Sequence, residues 1–168
     1  MAYTTFTFYE NTYHGNVVPA EDFDRIADRA SDFLDVITFD RLVGGLPDDE
    51  RGKTKVQKAV CAVCDKLYYL ELADIQALSA AAGGISSGSA GGTGGVNAGV
   101  ITSRSAGSES ISYASPSEMA SGAKTWSAVY QAAGDEQATN KLLYDTAKVY
   151  LTGVRDNEGV PLLYAGMR

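Results

Sequence analysis

The chain has 168 residues, a net charge of −7 at pH 7 and a hydrophobic fraction of 45%. Its length is enough for one ordinary domain with a buried core, and its composition is that of a globular protein. The acidic balance argues against a protein that binds nucleic acid by neutralising phosphates, although DNA could slide past such a surface without adhering. No run approaches the ~18 to 20 apolar residues that a membrane span needs. The start, MAYTTFTFYEN, is unlike a secretory signal, so we expect a cytosolic protein.

The first segment, YTTFTFY at residues 3–9, alternates threonine with phenylalanine. Such alternation predicts a short strand or an extended arm that docks through one face. A helix is predicted to begin near Pro19, because proline suits the first helical position and Glu21 and Asp22 suit the positive end of the helix dipole. Apolar residues then recur at helical spacing in one stripe: Phe23, Ile26, Ala27, Ala30, Phe33, Leu34 and Ile37.

A second helix is predicted from about Asp49 to Ala80. Its apolar stripe comprises Val56, Ala59, Val60, Val63, Leu67 and Leu70, and it is widened by Tyr68, Tyr69 and Leu72. A stripe this broad indicates a helix covered on more than one side. The cover could come from the same chain or from a neighbouring subunit.

The stretch GGISSGSAGGTGGVNAG, residues 83–99, predicts a flexible linker. It lacks the G-x-G-x-x-G spacing of a dinucleotide-binding turn, and it follows a helix rather than a strand. The sequence GKT at 52–54 resembles the end of a P-loop. However, proline occupies position 47, where that motif has its first glycine, and the acidic residues at 48–50 would repel phosphate. We therefore predict no phosphate site in either stretch.

Residues 100–114 alternate in two short runs around Ala106-Gly107, which predicts a β-hairpin. An isolated hairpin is marginally stable, so we expect it to pack against another surface. A capping box at 115–118 predicts a third helix. A last helix is predicted from about Glu136 to Leu151, with Asp135 as its cap. It has two apolar stripes, which indicate packing on two sides: Leu143, Ala147 and Tyr150, then Ala138, Leu142 and Val149.

The chain closes with GVPLLYAGMR, an apolar tail. The tail could fold back onto its own core or insert into a partner, and we favour the partner. Together these elements predict a mainly α protein, a small bundle of about four helices with an inserted β-hairpin and extended N- and C-terminal arms. We expect a single domain over 1–168, with residues 160–168 as its docking tail.

No catalytic motif is present, and we expect neither enzymatic activity, nor a cofactor, nor a metal site. The only histidine, His14, lies in a tyrosine-rich turn. Cys61 and Cys64 form a C-x-x-C inside a predicted helix rather than at a strand-to-helix junction. They therefore fit core residues better than a redox or metal site, which is the less favoured alternative. Ten tyrosines are a weak indication of an interface.

The order of parts resembles that of the head–tail connector proteins, also called adaptors or head-completion proteins, of long-tailed bacteriophages. The resemblance is carried by FTFYENTYHGN, the acidic helix EDFDRIADRASDFLDVITFDRL, the segment SISYA, the helix KLLYDTAKVYL and the closing LLYAGMR. It covers most of the chain. Residues 120–133 depart from it, since this stretch is longer than the family pattern requires, and the 83–99 linker is unusually rich in glycine.

The resemblance implies a small helical virion protein without enzymatic activity. Such proteins form a ring, in the family a dodecamer, between the portal and the stopper or tail proteins in the phage neck. The ring extends the DNA channel without reading the DNA sequence. Assembly would occur in the bacterial cytoplasm. The alternative is another neck component, such as a stopper or tail-completion protein.

The resemblance also implies roles for two segments. Residues of the tail would dock on the portal: Leu162, Leu163, Tyr164, Met167 and Arg168. Residues of the hairpin would contact a neighbouring subunit or the next ring: Ile101, Arg104, Glu109, Ile111 and Tyr113.

Overall fold

A computed structural model of the chain describes residues 2–83, 101–105, 110–113 and 128–164. This part of the chain is mainly helical, as the sequence predicts, and has four α-helices of five residues or more. The chain divides into two compact units, residues 1–69 with 139–168 and residues 70–138. A single domain across the whole chain stays a prediction. Within the described ranges, no helix combines the length and the apolar character that a membrane crossing requires.

The N-terminal segment is helical, so the predicted strand or extended arm is wrong. A one-turn helix α1, Phe6–Phe8, leads into a π-helical turn, Tyr9–Tyr13. Thr5 caps α1, because its hydroxyl accepts a hydrogen bond from the Phe8 N–H. The alternation of Thr and Phe has period two, but Phe6 and Tyr9 are also three positions apart, which suits one face of a helix. Both of their rings contact Phe23, at centroid distances of 5.5 and 5.0 Å, and this packing favours the helical form.

Helix α2 runs Ala20–Ile37 and confirms the first predicted helix. Pro19 is extended at φ −63° and ψ 152° and is the N-cap, one position before the helix begins. The predicted stripe is the buried face, since Phe23, Ile26 and Leu34 are fully buried and Phe33 and Ile37 lie at its half-buried edge. Phe39 and Asp40 follow in the left-handed region, at φ 55° and 58°.

Helix α3 runs Glu50–Gly83, close to the predicted bounds. Asp49 precedes it and accepts a hydrogen bond from the Gly52 N–H at 2.8 Å. The GKT stretch, residues 52–54, lies near the start of α3, and its first amide already has a carboxylate partner. The absence of a phosphate site there stays a prediction.

In the first unit, one set of fully or almost fully buried side chains comes from the N-terminal segment, α2 and the turn after it, α3, α5 (Glu136–Leu151) and the loop that follows α5. Its largest members are Tyr9, Phe23, Ile26, Leu34, Leu42, Val56, Val60, Val63, Leu151 and Leu162. Helix α5 has the predicted bounds. Asp135 caps it as predicted, accepting from the N–H groups of Gln137 and Ala138 at 2.9 and 3.1 Å.

The second unit contains two short strands, β1 (Ile101–Ser105) and β2 (Ser110–Tyr113), and helix α4 (Ala128–Ala132). The strands pair antiparallel, and their register shifts between Ile101 and Ser103. The predicted turn at 106–107, the linker at 84–99 and the capping box at 115–118 lie outside the described residues. That the strands form an inserted hairpin of the bundle stays a prediction.

Candidate interaction surfaces

Residues 2–18, here called the N-terminal hook, are held on α3 by one carboxylate. The Tyr9 hydroxyl donates to Asp65 Oδ1 at 2.6 Å, and the Tyr13 hydroxyl donates to Asp65 Oδ2 at 3.1 Å. The Tyr9 hydroxyl also accepts from the N–H groups of Val17 and Val18, at 3.0 and 3.1 Å. A single buried phenol therefore joins the middle and the end of the hook to α3.

The start of the hook is held on α2 in a similar way. The Tyr3 hydroxyl donates to Asp35 Oδ1 at 2.5 Å, and the Tyr3 N–H donates to Ser31 Oγ at 3.0 Å. On the other side, the Gln57 side chain donates to the Tyr3 carbonyl at 3.3 Å. The hook thus bridges α2 and α3 through polar bonds as well as aromatic packing.

Burial shifts the pKa values of the carboxyl and phenol groups that hold the hook. It raises the pKa of Asp65 and of Asp35, although the tyrosine hydrogen bonds act in the opposite direction. Burial, followed by the bond to Asp65, raises the pKa of Tyr9 to about 12. The tyrosine therefore remains a hydrogen-bond donor throughout the physiological pH range.

The C-x-x-C motif has the surroundings of core residues. Cys61 and Cys64 are fully buried within α3 and are not joined by a disulfide. Burial raises the pKa of Cys61 to about 12 and also raises the pKa of Cys64. Reactive thiols have lowered pKa values and solvent access, and both are missing here. In the described part of the chain, no cluster of three or more His, Cys, Asp or Glu residues is arranged to hold a metal ion.

His14 ends the π-helical turn of the hook. Its backbone has φ 61°, and its N–H donates to the Tyr9 carbonyl. The side chain is exposed.

The C-terminal loop, residues 152–164, is fixed by a buried arginine. Arg41 NH1 donates to the carbonyl oxygens of Leu162 and Tyr164, at 3.3 and 2.6 Å. Arg41 Nε lies 3.6 Å from Asp156 Oδ2, and both side chains are more than nine-tenths buried. The other carboxylate oxygen, Asp156 Oδ1, accepts from the N–H groups of Glu158 and Val160 within the loop. Asp156 thereby shapes the loop, and Arg41 attaches it to the turn after α2.

The predicted docking residues fall into three groups. Leu162 is fully buried in its own chain, so in this fold its side chain belongs to the core, which corrects the assignment of that residue to a free docking tail. Leu163 is half-buried and Tyr164 is 56% exposed. Met167 and Arg168 lie outside the described residues. The docking role of the tail beyond Leu162 stays a prediction.

An exposed apolar surface lies next to this loop. Its members, Val36, Phe39 and Val43, are 72%, 53% and 67% exposed, and we call them the α2-end surface. The Phe39 ring lies 5.7 Å from the Arg41 guanidinium carbon, and Arg41 also bonds the Tyr164 carbonyl. Phe39 has a left-handed backbone, which costs of order 1 kcal/mol in a residue other than glycine. An exposed aromatic residue held in such a conformation is a candidate for contact with a partner.

A second exposed apolar row belongs to the other unit. Leu72, Ile75 and Leu78, on the later turns of α3, are 37%, 61% and 71% exposed. They are three positions apart, so they lie along one side of the helix. Leu72 is part of the broad apolar stripe predicted for this helix, and Ile75 and Leu78 extend it with exposed side chains.

The predicted hairpin residues are in part paired with one another. Ile101 lies opposite Tyr113, and Arg104 lies opposite Ile111. Glu109 lies outside the described residues. The backbone pairing brings four of the five predicted contact residues onto one two-stranded ribbon, and their contact with another subunit stays a prediction.

Sequence reasoning did not single out Arg41, Asp65 or Asp156. Arg41 and Leu162 are 121 positions apart, and no local pattern links an arginine to a loop so distant in the chain. The tyrosines gave a partial signal, because Tyr9 and Tyr13 are four positions apart and so share one side of a helical turn.

Comparison with known proteins gives no relative: no protein-family model, no curated protein and no solved structure matches this chain.

Proposed function

We propose that the chain is a structural virion protein, the adaptor of a long-tailed bacteriophage. Several copies form a ring between the portal and the stopper or tail proteins in the neck, and the ring extends the DNA channel. The sequence resemblance is the origin of this proposal. The mainly helical fold and the net charge of −7 are compatible with it, because an acidic channel does not retain a phosphate backbone.

The observation that carries the proposal is the anchored base of the tail. Arg41 fixes the backbone at Leu162 and Tyr164, while the Tyr164 side chain is more than half exposed. The same guanidinium lies beside the exposed ring of Phe39. The tail therefore begins at a backbone position that Arg41 fixes, beside exposed apolar side chains. This arrangement suits docking on a partner, because less conformational entropy is lost on binding when part of the binding surface is preorganised.

Exposed apolar rows on two separate parts of the chain also suit a protein that works in an assembly. The α2-end surface belongs to one unit, and the row at Leu72, Ile75 and Leu78 belongs to the other. A ring subunit needs two different contact surfaces, because its contacts with its two neighbours are heterologous.

Removal of residues 165–168 tests the docking role of the tail. The truncation leaves Leu162 in place, whereas a deletion from residue 162 onward would also remove a buried side chain. We expect the truncated protein, combined with Tyr164→Ser, to keep its helical circular dichroism and to lose binding to portal particles from the same genome. The matched control is Glu158→Ser, an exposed change in the same loop, which should bind normally.

The same binding experiment distinguishes an adaptor from the alternative neck components by showing which neck protein this chain binds. Stable association with tail or stopper proteins, together with no association with portal particles, would assign the chain to another position in the neck. Normal portal binding by the truncated variant would contradict the docking role of the tail.

A further inference from the structure

The first unit contains an open cleft of about 590 Å³. Four of its lining residues lie at helical spacing on α3: Ala62, Asp65, Lys66 and Tyr69. Five lie at helical spacing on α5: Leu142, Asp145, Thr146, Val149 and Tyr150. Tyr13 and Val17 of the hook complete the lining. Among the described residues of this unit, one face of each helix therefore borders open space.

The α5 side of the cleft includes the second apolar stripe of that helix. Leu142 and Val149 belong to it, and Val149 is 74% exposed. A helix with two apolar stripes buries both when its partners are present. Here one stripe contributes to the core through Leu143 and Ala147, and the other faces the open cleft.

Aromatic rings form much of the lining, contributed by Tyr13, Tyr69 and Tyr150. The Tyr13 ring stacks on Tyr9 at a centroid distance of 5.7 Å, and its hydroxyl bonds Asp65. The stacking on Tyr9 and the hydrogen bond to Asp65 together fix the position of the Tyr13 ring. Aromatic faces attract ammonium and guanidinium groups, and a fixed ring does so without losing rotamer entropy.

The charges of the cleft favour a cation. Asp65 and Asp145 line it, opposed by Lys66 alone. Asp65 is held by the two tyrosine hydroxyls, each of which bonds a different carboxylate oxygen, and each oxygen has a further lone pair for another donor. Asp145 is exposed to solvent. A phosphate or another anion would face two carboxylates, and a wholly apolar segment would remove Asp145 from water without giving it a partner.

We propose that this cleft binds an arginine side chain carried by a partner polypeptide whose neighbouring residues are aliphatic. The guanidinium lies against the tyrosine rings and bonds the carboxylates of Asp65 and Asp145. The aliphatic neighbours cover Val149 and Leu142. Arginine fits better than lysine, because a planar guanidinium both stacks on rings and donates to two acceptors at once. The proposal is independent of the neck assembly described above.

Lys66 provides a prediction specific to this site. It lines the cleft with Asp65, and its charge partly opposes the rise that burial causes in the pKa of that carboxyl, so an incoming guanidinium competes with it. Lys66→Met retains much of the apolar stem and removes the competing charge. We expect this variant to bind an arginine peptide more tightly than the unaltered protein does.

The test is a titration of the full chain with acetyl-Leu-Arg-Leu-amide, followed by amide NMR shifts. The control peptide has citrulline in place of arginine, which keeps the shape and removes the charge. We expect shifts clustered at the cleft residues with the arginine peptide, and at most weak shifts with the citrulline peptide. Asp145→Asn should weaken binding by up to about fivefold, the range for a solvent-exposed ionic contact. Asp24→Asn, an exposed change on α2, should leave binding unaltered.

Three results would overturn the proposal. The first is no binding of the arginine peptide at millimolar concentration. The second is equal binding of the citrulline peptide, which would mean that the cleft recognises only apolar surface. The third is shifts that map away from α3 and α5, with Asp145→Asn and Lys66→Met both without effect. Because Asp145 is exposed and none of the bonds holding the hook depends on it, its substitution should not unfold the chain.

Discussion

The hydroxyl of Tyr9 donates a 2.6 Å hydrogen bond to Asp65, a residue 56 positions further along the chain. The same oxygen accepts from two backbone N–H groups of the hook. Loss of this hydroxyl would leave three polar groups without the partner they have in the folded chain, in surroundings where such groups are costly.

Tyr9→Phe should therefore destabilise the first unit. We expect the free energy of unfolding to fall by about 1 to 3 kcal/mol, the cost of leaving buried polar groups unsatisfied. Urea denaturation measures the change. Tyr69→Phe is the matched control, because Tyr69 is 43% exposed, whereas Tyr9 is fully buried. Equal stability of the two variants would show that the Tyr9 hydroxyl does not hold the hook.

Gly15 permits the close approach of the Tyr9 ring. A β-carbon at position 15 would lie 2.1 Å from Tyr9 Cζ, far inside contact distance. Gly15→Ala should destabilise the protein and detach the hook, observable as faster amide hydrogen exchange at residues 3–18. In contrast, a β-carbon at Gly44 meets nothing within 4 Å, so Gly44→Ala should be close to neutral. Similar effects of the two substitutions would contradict the packing described for the hook.

The raised pKa of Asp65 makes its contribution to stability depend on pH. Burial favours the protonated form in the folded state, so the folded state binds the proton more tightly than the unfolded state does. This contribution is fully present below the unfolded carboxyl pKa of about 3.9 and is lost as the pH rises through the folded value. Asp35 acts in the same direction.

The comparison of the unaltered protein with Asp65→Asn isolates this effect. The stability advantage of the unaltered protein over the variant should decrease as the pH rises from about 3.9. Urea denaturation at a series of pH values gives the difference directly. If the stability advantage of the unaltered protein instead grows as the pH rises above about 3.9, the tyrosine hydrogen bonds outweigh burial and the pKa of Asp65 is lowered in the folded state.

Arg41 and Asp156 form a buried ion pair that attaches the C-terminal loop. Arg41→Met should cost about 3 to 5 kcal/mol, because it leaves a buried carboxylate without its cation. The double variant Arg41→Met with Asp156→Asn should lose less than the sum of the two single losses, since it removes both charges. Arg25→Met serves as the control, because its pair with Asp22 is solvent-exposed and is expected to contribute about 0 to 1 kcal/mol. Additive losses in the double variant would contradict direct coupling.

Phe39 should show opposite effects on stability and on assembly. Phe39→Gly relieves the left-handed backbone at φ 55° and removes an exposed aromatic side chain. We expect the monomer to be unchanged or slightly more stable, and binding to portal particles to be weaker. Asp24→Asn, an exposed change on α2 that belongs to neither proposed surface, is the control for binding. Unaltered binding of Phe39→Gly would exclude the α2-end surface from the interface.

The helices could be predicted from sequence because each has a local signal. The stripe of α2, the acidic residues of its first turn and the Asp135 cap of α5 are read within a few residues of the chain. The hook could not be predicted, because YTTFTFY satisfies the strand period, and only contacts with Phe23 and Asp65 select the helical form. The burial of Leu162 could not be predicted for the same reason, because the Arg41 side chain that holds its backbone is 121 positions distant in the chain. Local patterns also could not reveal the cleft, although the second stripe of α5 indicated an additional packing side.

The central claim is that this chain binds a portal as several copies. The most direct measurement is the mass of the purified protein alone and mixed with portal particles from the same genome, by native mass spectrometry or analytical ultracentrifugation. The adaptor proposal predicts a complex that contains the portal ring and a ring of several copies of this chain, which we expect to be a dodecamer. Portal particles that retain their own mass, with the protein sedimenting separately at all ratios, would contradict it.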